Sequence, residues 1–304
     1  MRLLEESYGW QTFNKWENTH TDDLRDSKTS PLVANTLFWE VSSFHELLNH
    51  VAFVNSMNKR LILFYRGQTT DRVPIPSLFR ENWTCFGTVQ KFDITAKNRQ
   101  MYWLALEEIG SHIYLLFKNK SLQIPRFKGF KNTREIQWAI IQHYGLWPTP
   151  LVDITSSLYI AAKFALTGKE KSLSTGFLFV IGMPHLVGSI TFNYDEHFTL
   201  AKLQSVCPPI AKRPHFQEGF LIGHFPIYSM DDHLIKQSSL INRLVVKFKL
   251  INNGDFWDSN FLEIPEEALM PANDILLNYF MEEFGPESRK NPIIKMAEKI
   301  SNHS

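Results

Sequence analysis

The chain predicts an α+β domain: a central, mostly antiparallel sheet with helices packed around it. Three features of the sequence lead there. The runs LILFY at 61–65 and FLFVI at 177–181 are wholly apolar and too short for helices, so they read as buried strands. FLI at 220–222 and LINRLVVKFKL at 240–250 alternate in part, as strands do. Between these runs, apolar residues recur three and four apart behind capping residues, which is the period of helices.

Taken in order, residues 1–40 are polar and aromatic and read as an N-terminal extension that docks through Trp10, Phe13 and Trp16. Ser43-x-x-Glu46 is a capping box ahead of Phe44, Leu47, Leu48, Val51, Ala52 and Val54, and that helix is expected to end near Asn58. Arg66-Gly67-Gln68 closes the strand at 61–65. A loop with Pro74 and Pro76 leads into Ser77-Leu78-Phe79-Arg80, so Arg66 and Arg80 flank one proline-rich loop. A long helix over about 96–119 carries Met101, Leu104, Ala105, Ile109, Ile113 and Leu116 on one face, with Glu107 and Glu108 solvated beside it. Residues 118–131 read as a loop.

Asn132 and Glu135 suit the start of a helix carrying Ile136, Trp138, Ala139, Ile140 and Ile141, which stops at Gly145, a natural left-handed cap. Thr155, Ser156 and Ser157 offer N-cap oxygens to a helix at 158–167, with Gly168 as its terminator. Residues 185–200 look irregular. Pro265 fits the first turn of a helix whose Glu266 and Glu267 suit the positive end of its dipole. After Gly285-Pro286 a basic helix is expected at 293–300. The domain proper therefore spans 41–285, and 286–304 form a basic tail.

Composition narrows the classes of function. The 304 residues are 44% apolar and 21% charged, an ordinary globular balance with enough apolar surface for a sizeable core. A net charge of +1 gives the whole molecule no pull on nucleic acid or anionic membrane. No stretch approaches the ~18 consecutive apolar residues needed to span a bilayer, and the N-terminus lacks the apolar run of a secretory signal. A soluble cytoplasmic protein is expected. Cys85 and Cys207 show no metal-ligand spacing and read as buried or unreactive thiols. No Walker loop, G-x-S-x-G elbow or HExxH is present, no histidine pair sits four apart on a clear helix, and no metal is expected.

Chemistry concentrates at 142–165, QHYGLWPTPLVDITSSLYIAAKFA, where His, Tyr, Gly, Asp and hydroxyls crowd around one turn. Each residue there has two readings. His143 is a general acid or base or a ribose contact, or else a core histidine satisfied by a backbone carbonyl. Asp153 orients Arg66 or His143, or else caps the following helix. Thr155 and Ser156 are ligand hydroxyls or caps. Gln217 reads a ligand amide or ties two backbone segments together. Arg66, directly at the end of a buried strand, must find an acceptor or reach a pocket, because an unpaired buried charge is very costly.

The spaced motifs resemble a known family. Tyr65-Arg66-Gly67-Gln68, then PSLFR at 76–80, then QHYGL-x-PT-x-LVD-x-T with a trailing A-x-x-FA, look like the FRG domain, named for a Phe/Tyr-Arg-Gly tripeptide. Arg213, Gln217, Gly219 and Phe220 are similar to a third block of that family. The chain departs from the pattern at Trp147, an insertion, at Pro150 and Ile154 in place of Arg and Trp, and at Pro214 in place of Ile. The resemblance implies a bacterial or phage context in mobile or defence-associated regions, hence a toxin or phage-defence effector, an unknown target macromolecule and an antitoxin or defence partner.

A looser resemblance, to mono-ADP-ribosyltransferases, implies a chemistry. In those enzymes an aromatic-Arg-Gly strand end grips NAD, a Ser-Thr-Ser-like strand precedes a helix, and a Gln/Glu-x-Glu turn follows. By that resemblance NAD is the substrate, held by Tyr65, Arg66, Gly67, Gln68, Arg80, Tyr144, Asp153, Thr155 and Ser156. His143 positions the nucleotide and Gln217 or Glu218 faces the reacting carbon. Arg66, His143, Asp153 and Gln217 are expected to converge. A non-catalytic ligand-sensing or protein-interaction module on the same scaffold is the alternative.

Overall fold

Residues 38–58, 61–80, 82–85, 88–91, 96–123, 129–168, 174–184, 188–227 and 240–285 are described by a computed structural model of the chain. In chain order the elements are β1 (Phe38–Val41), α1 (Phe44–Met57), β2 (Ile62–Gln68), a 3-10 turn (Ser77–Phe79), β3 (Asn82–Cys85), β4 (Thr88–Lys91), α2 (Ala96–Asn119), α3 (Arg134–Tyr144), β5 (Leu151–Thr155) and α4 (Leu158–Leu166). There follow β6 (Ser174–Met183), β7 (Ile190–Asn193), β8 (Phe198–Lys202), α5 (Leu203–Val206), α6 (Lys212–Phe216), β9 (Gly219–His224), a second 3-10 turn (Leu240–Arg243), β10 (Leu244–Asn252), α7 (Glu266–Leu269) and α8 (Ile275–Phe284). Trp10, Phe13, Trp16 and the basic helix at 293–300 lie outside the described residues.

Pairing is antiparallel for β10 with β6, β6 with β2, β2 with β5, β7 with β8 and β8 with β9; β1 lies parallel on β10. The expected α+β class with a mostly antiparallel sheet is what forms. Several boundaries differ from the sequence reading. β2 runs on through Arg66-Gly67-Gln68, because all three stay in register with β6. The stretch at 185–200, expected irregular, supplies β7 and β8; Phe198 and Leu200 of β8 are buried. Thr133, not Asn132, occupies the cap position of α3, and its side chain makes no capping bond. Leu104, placed on the apolar face of α2, is 61% exposed; Tyr102, Leu106 and Phe117 are buried instead.

The caps behave largely as expected. Ser43 Oγ accepts from Glu46 N at 3.1 Å, while the Glu46 carboxylate reaches back to Ser42 N at 2.9 Å, one residue before the reciprocal position of a capping box. Ser157 caps α4, and Gly145 ends α3 with φ 64° and ψ 36°.

Two compact units can be distinguished, and the chain passes between them inside β5, after Asp153. Of the described residues, the first contains those up to Pro74 and those within Ile154–Leu186 and Leu240–Leu269. Its strands run β1-β10-β6-β2-β5. One face of this sheet packs Leu178, Val180, Phe248 and Leu250 against Val41, Phe44 and Leu47 and against Ala161, Ala162 and Ala165 of α4. The alanines matter because α4 lies almost on the backbone of β2. A Cβ on Gly67 would stand 1.9 Å from the Ala161 carbonyl oxygen and 2.6 Å from Ala165 N. A Cβ on Gly176 of β6 would stand 2.2 Å from the Ala165 carbonyl oxygen.

Of the described residues, the second unit contains those within Ile75–Asp153 and Val187–Ser239 and those from Met270 to Gly285. Its core gathers Ile109 and Ile113 of α2, Trp138, Ile140 and Ile141 of α3, Leu203 and Val206 of α5, and Phe280 and Phe284 of α8. Trp147, the insertion relative to the family pattern, is 1% exposed. It meets Trp83 and Tyr102 edge-on at 5.7 and 6.2 Å, and its Nε1 donates to the Tyr102 carbonyl at 3.0 Å. The extra residue is thus a core ring with its polar atom satisfied.

Gly67→Ala is expected to destabilise by at least about 3 kcal/mol, since a backbone carbonyl cannot step aside as a side chain would. Gly168→Ala is the control: its φ is 69° with nothing within 4 Å of the new Cβ, and only the left-handed strain, about 1 kcal/mol, is expected. Urea unfolding of both variants checks the contrast.

Candidate functional site

Strand alternation fixes which motif residues share a surface in the first unit. Gly67, Leu178 and Phe248 are register partners and lie under α4. Arg66 must then point to the other face, together with its register partners Phe179 and Lys247. There the half-buried Arg66 donates from Nε to Gln68 Oε1 at 2.9 Å. Gln68 Nε2 in turn donates to the Arg72 carbonyl at 2.8 Å. Tyr65 pairs with Thr155, so these two share the α4 face and not the face of Arg66. Burial pushes the Tyr65 phenol above its ordinary pKa. Thr155 is 5% exposed, and its Oγ1 accepts from Ser157 N at 3.1 Å, the turn that starts α4. Ser156 is exposed.

In the second unit the helix end at Gln142-His143-Tyr144 is the centre of a polar network. Gln142 Oε1 accepts from Ser77 Oγ at 2.8 Å and from Thr149 Oγ1 at 2.6 Å, and its Nε2 donates to Asp153 Oδ2 at 3.0 Å. Ser77 Oγ also accepts from Thr149 N at 2.9 Å. One glutamine thus joins three separated motif pieces: PSLFR through Ser77, the PT turn through Thr149 and LVD through Asp153. His143 lies beside it, Nδ1 at 3.3 Å from Asp153 Oδ1. The histidine side chain is 3% exposed against 39% for Asp153. With Asp153 as acceptor, Nδ1 carries the proton, and Nε2 is buried with no hydrogen-bond partner among the described residues. A Cβ on Gly219 would come within 3.6 Å of His143 Cε1, so the third motif block supplies the small residue beside the ring.

Tyr144, the next residue, turns inward. It is 3% exposed and donates to Asp274 Oδ2 at 3.0 Å. Burial first, then the charges of Cys207 and Asp274, raise its phenol far above the ordinary range. It remains a donor at any physiological pH. Asp274 also caps α8, accepting from Leu276 N and Leu277 N, and takes Arg213 N at 2.9 Å. The Arg213 guanidinium stands 5.8 Å from the Tyr144 ring centre. Cys207 is buried, and burial followed by Asp274 raises its thiol, which suits the unreactive reading.

Gln217 is 8% exposed and donates from Nε2 to Met270 Sδ at 3.4 Å. Glu218 is exposed with a left-handed φ of 45°. Arg80 binds the Ile75 carbonyl through Nε at 2.8 Å and through Nη2, closing its own proline loop. Glu107, read as solvated, is half-buried; burial raises its carboxyl while Arg134, with Nη1 at 3.7 Å, opposes the rise.

The structure therefore brings His143, Gln142, Asp153 and Gly219 together in one unit, and Arg66 with Gln68 in the other. Ser77, Gln142 and Thr149 had no role in the sequence reading. Their signal was present, since each sits inside a quoted motif, but small hydroxyls before a helix or strand read first as caps. Among the described residues no group of three His, Cys, Asp or Glu is placed to hold a metal ion, and no helix is long and apolar enough to cross a membrane.

Gln142→Ala is expected to cost about 2–4 kcal/mol, because Thr149, 0% exposed, loses its acceptor. Gln142→Glu keeps the acceptor but sets a carboxylate against Asp153 Oδ2. Like charges raise the folded-state pKa of the pair, so its deficit relative to the parent is expected to be larger at pH 7.5 than at pH 4.5. Urea midpoints at the two pH values decide this; equal deficits would contradict the network.

No curated protein and no solved structure matches the chain. Residues 62–173 match the family model described as the FRG domain, a span that takes in Tyr65-Arg66-Gly67, the Ser77 turn and the whole of 142–165 but stops before Arg213.

Proposed function

We propose that this FRG-domain chain binds NAD through Arg66 and cleaves its nicotinamide glycosidic bond, as the resemblance to ADP-ribosyltransferases implies. The observation that carries the reading is the setting of Arg66. It is a half-buried guanidinium on the face of β2 away from α4, oriented through Nε by Gln68. A planar, pre-oriented guanidinium suits the paired oxygens of a pyrophosphate better than an ammonium does. In the reaction the bond between ribose C1′ and the nicotinamide nitrogen breaks, and its electron pair leaves with nicotinamide. Water, or a nucleophile of a target macromolecule, bonds to C1′ and releases its proton to solvent. The positive C1′ centre that develops is stabilised electrostatically by a carboxylate. The family context extends this to a toxin or phage-defence effector with a neutralising partner.

One set of observations favours a second reading, a ligand-sensing module without catalysis. The His143 ring is 3% exposed, Gln217 is 8% exposed and Thr155 shares the face of Tyr65.

Calorimetry with NAD and chromatography of released nicotinamide separate the two. Binding with release, both reduced at least about tenfold in Arg66→Ala, is the expected result. Binding without release, alone or with cell lysate as acceptor, supports the sensor. Absence of both sinks the NAD reading. Induction in bacterial cells is expected to arrest growth with the parent and not with Arg66→Ala.

A further inference from the structure

The loop that follows the Tyr-Arg-Gly strand is fastened by a buried charge from β10, two strands away on the same face. Lys247 on β10 has a side chain with 0% exposure. Its Nζ donates to both oxygens of Asp71, at 3.0 and 2.8 Å, and lies 5.9 Å from the Phe177 ring centre. An ammonium held there without its carboxylate would be strongly unfavourable, so Asp71 cannot leave it cheaply. Asp71 immediately precedes Arg72, whose carbonyl holds Gln68 Nε2. Gln68 Oε1 holds Arg66 Nε. Arg66 and Lys247 lie in one register row on either side of Phe179, so both ends of this chain of contacts rise from the same face.

We propose that Lys247 and Asp71 are positioning residues for Arg66. The pair pins the turn at 69–72, the turn fixes the Gln68 amide, and the amide sets the plane of the guanidinium. The inference rests on the reading of Arg66 as the ligand-binding residue and names what prepares it. A pair serving only to hold the sheet together would have no reason to change the state of Arg66.

The arginine-selective reagent phenylglyoxal tests this without any ligand. The rate of modification of Arg66, read by peptide mass spectrometry relative to Arg134, half-exposed on α3, is measured in the parent and in four variants. Asp71→Asn and Gln68→Ala are each expected to raise the relative rate at least about fivefold. Combined, they are expected to raise it no further than either alone, because they cut the same chain of contacts. Lys247→Met risks misfolding, so Asp71→Leu with Lys247→Met, which fills the space with apolar groups, is the fourth variant and is expected to match Asp71→Asn. An unchanged Arg66 rate in Asp71→Asn, beside a raised rate in Gln68→Ala, overturns the proposal. NAD binding to the same proteins is a separate arm. Its expected result is weaker affinity in Asp71→Asn with an unchanged rate of nicotinamide release at saturation. Failure of the parent to bind NAD would remove the ligand assigned above, while the reactivity series still decides the latch.

Discussion

The close approach of α4 to β2 and β6 is the constraint on which the first unit depends. A helix can lie this near a sheet only where neither surface carries a side chain between them. Gly67 and Gly176 supply that on the strands; Ala161 and Ala165 supply it on the helix. Two of the motifs that carry the resemblance, the aromatic-Arg-Gly and the A-x-x-FA, are therefore the two sides of one contact. The contact also determines where chemistry can sit. With Gly67 fixed under α4, alternation sends Arg66 to the opposite face, where its register partner Phe179 is buried and Gln68 reaches its guanidinium. The glycine is a packing residue, and by being one it aims the arginine.

The second unit solves a different problem, that of holding loops in place. The Ser77 turn and the Pro148–Pro150 segment are joined by a backbone bond, Leu78 N to the Thr149 carbonyl at 3.1 Å, and side chains add to it. Gln142 does this with both ends of its amide, accepting two hydroxyl protons and donating to Asp153. Ser77 Oγ also accepts from Thr149 N. A buried network is favourable only when its members are satisfied, and this one nearly is. Among the described residues His143 Nε2 finds no partner.

The strands and long helices were legible in the sequence because period and caps act locally. Ser157, Gly145 and the Ser43–Glu46 pair stand where those signals put them. What misled was tertiary. β2 extends through Arg66 because β6 pairs with it, and no local pattern carries that. β7 and β8 were hidden by His197 and a polar composition that reads as loop. Leu104 follows the helical period but faces outward, because the period marks a stripe without saying which edge of the stripe meets a partner. For the site, motif spacing found the residues but not their orientation. Tyr144, an NAD contact by the resemblance, is a core phenol bound to Asp274, and that requires knowing that α8 starts beside it.

Exposure and donor count together sort the polar residues of the motifs. Asp274 is 0% exposed, and its two oxygens take Leu276 N, Leu277 N, Arg213 N and Tyr144 Oη. A carboxylate so fully supplied with donors is committed to the fold. Asp153 differs: it takes Gln142 and His143 from inside while its side chain stays 39% exposed. Water still reaches it, so its other contacts can change with a ligand. The same division separates Gln217, buried on Met270, from Glu218, exposed one residue later, and Thr155, which starts a helix, from Ser156, which is exposed. In each adjacent pair one member builds the fold and the other meets solvent. A motif conceived as a list of ligands does not require that alternation. A strand that must pack under a helix and still present a charge does, as at Gly67 and Arg66, because consecutive residues on extended backbone face opposite ways.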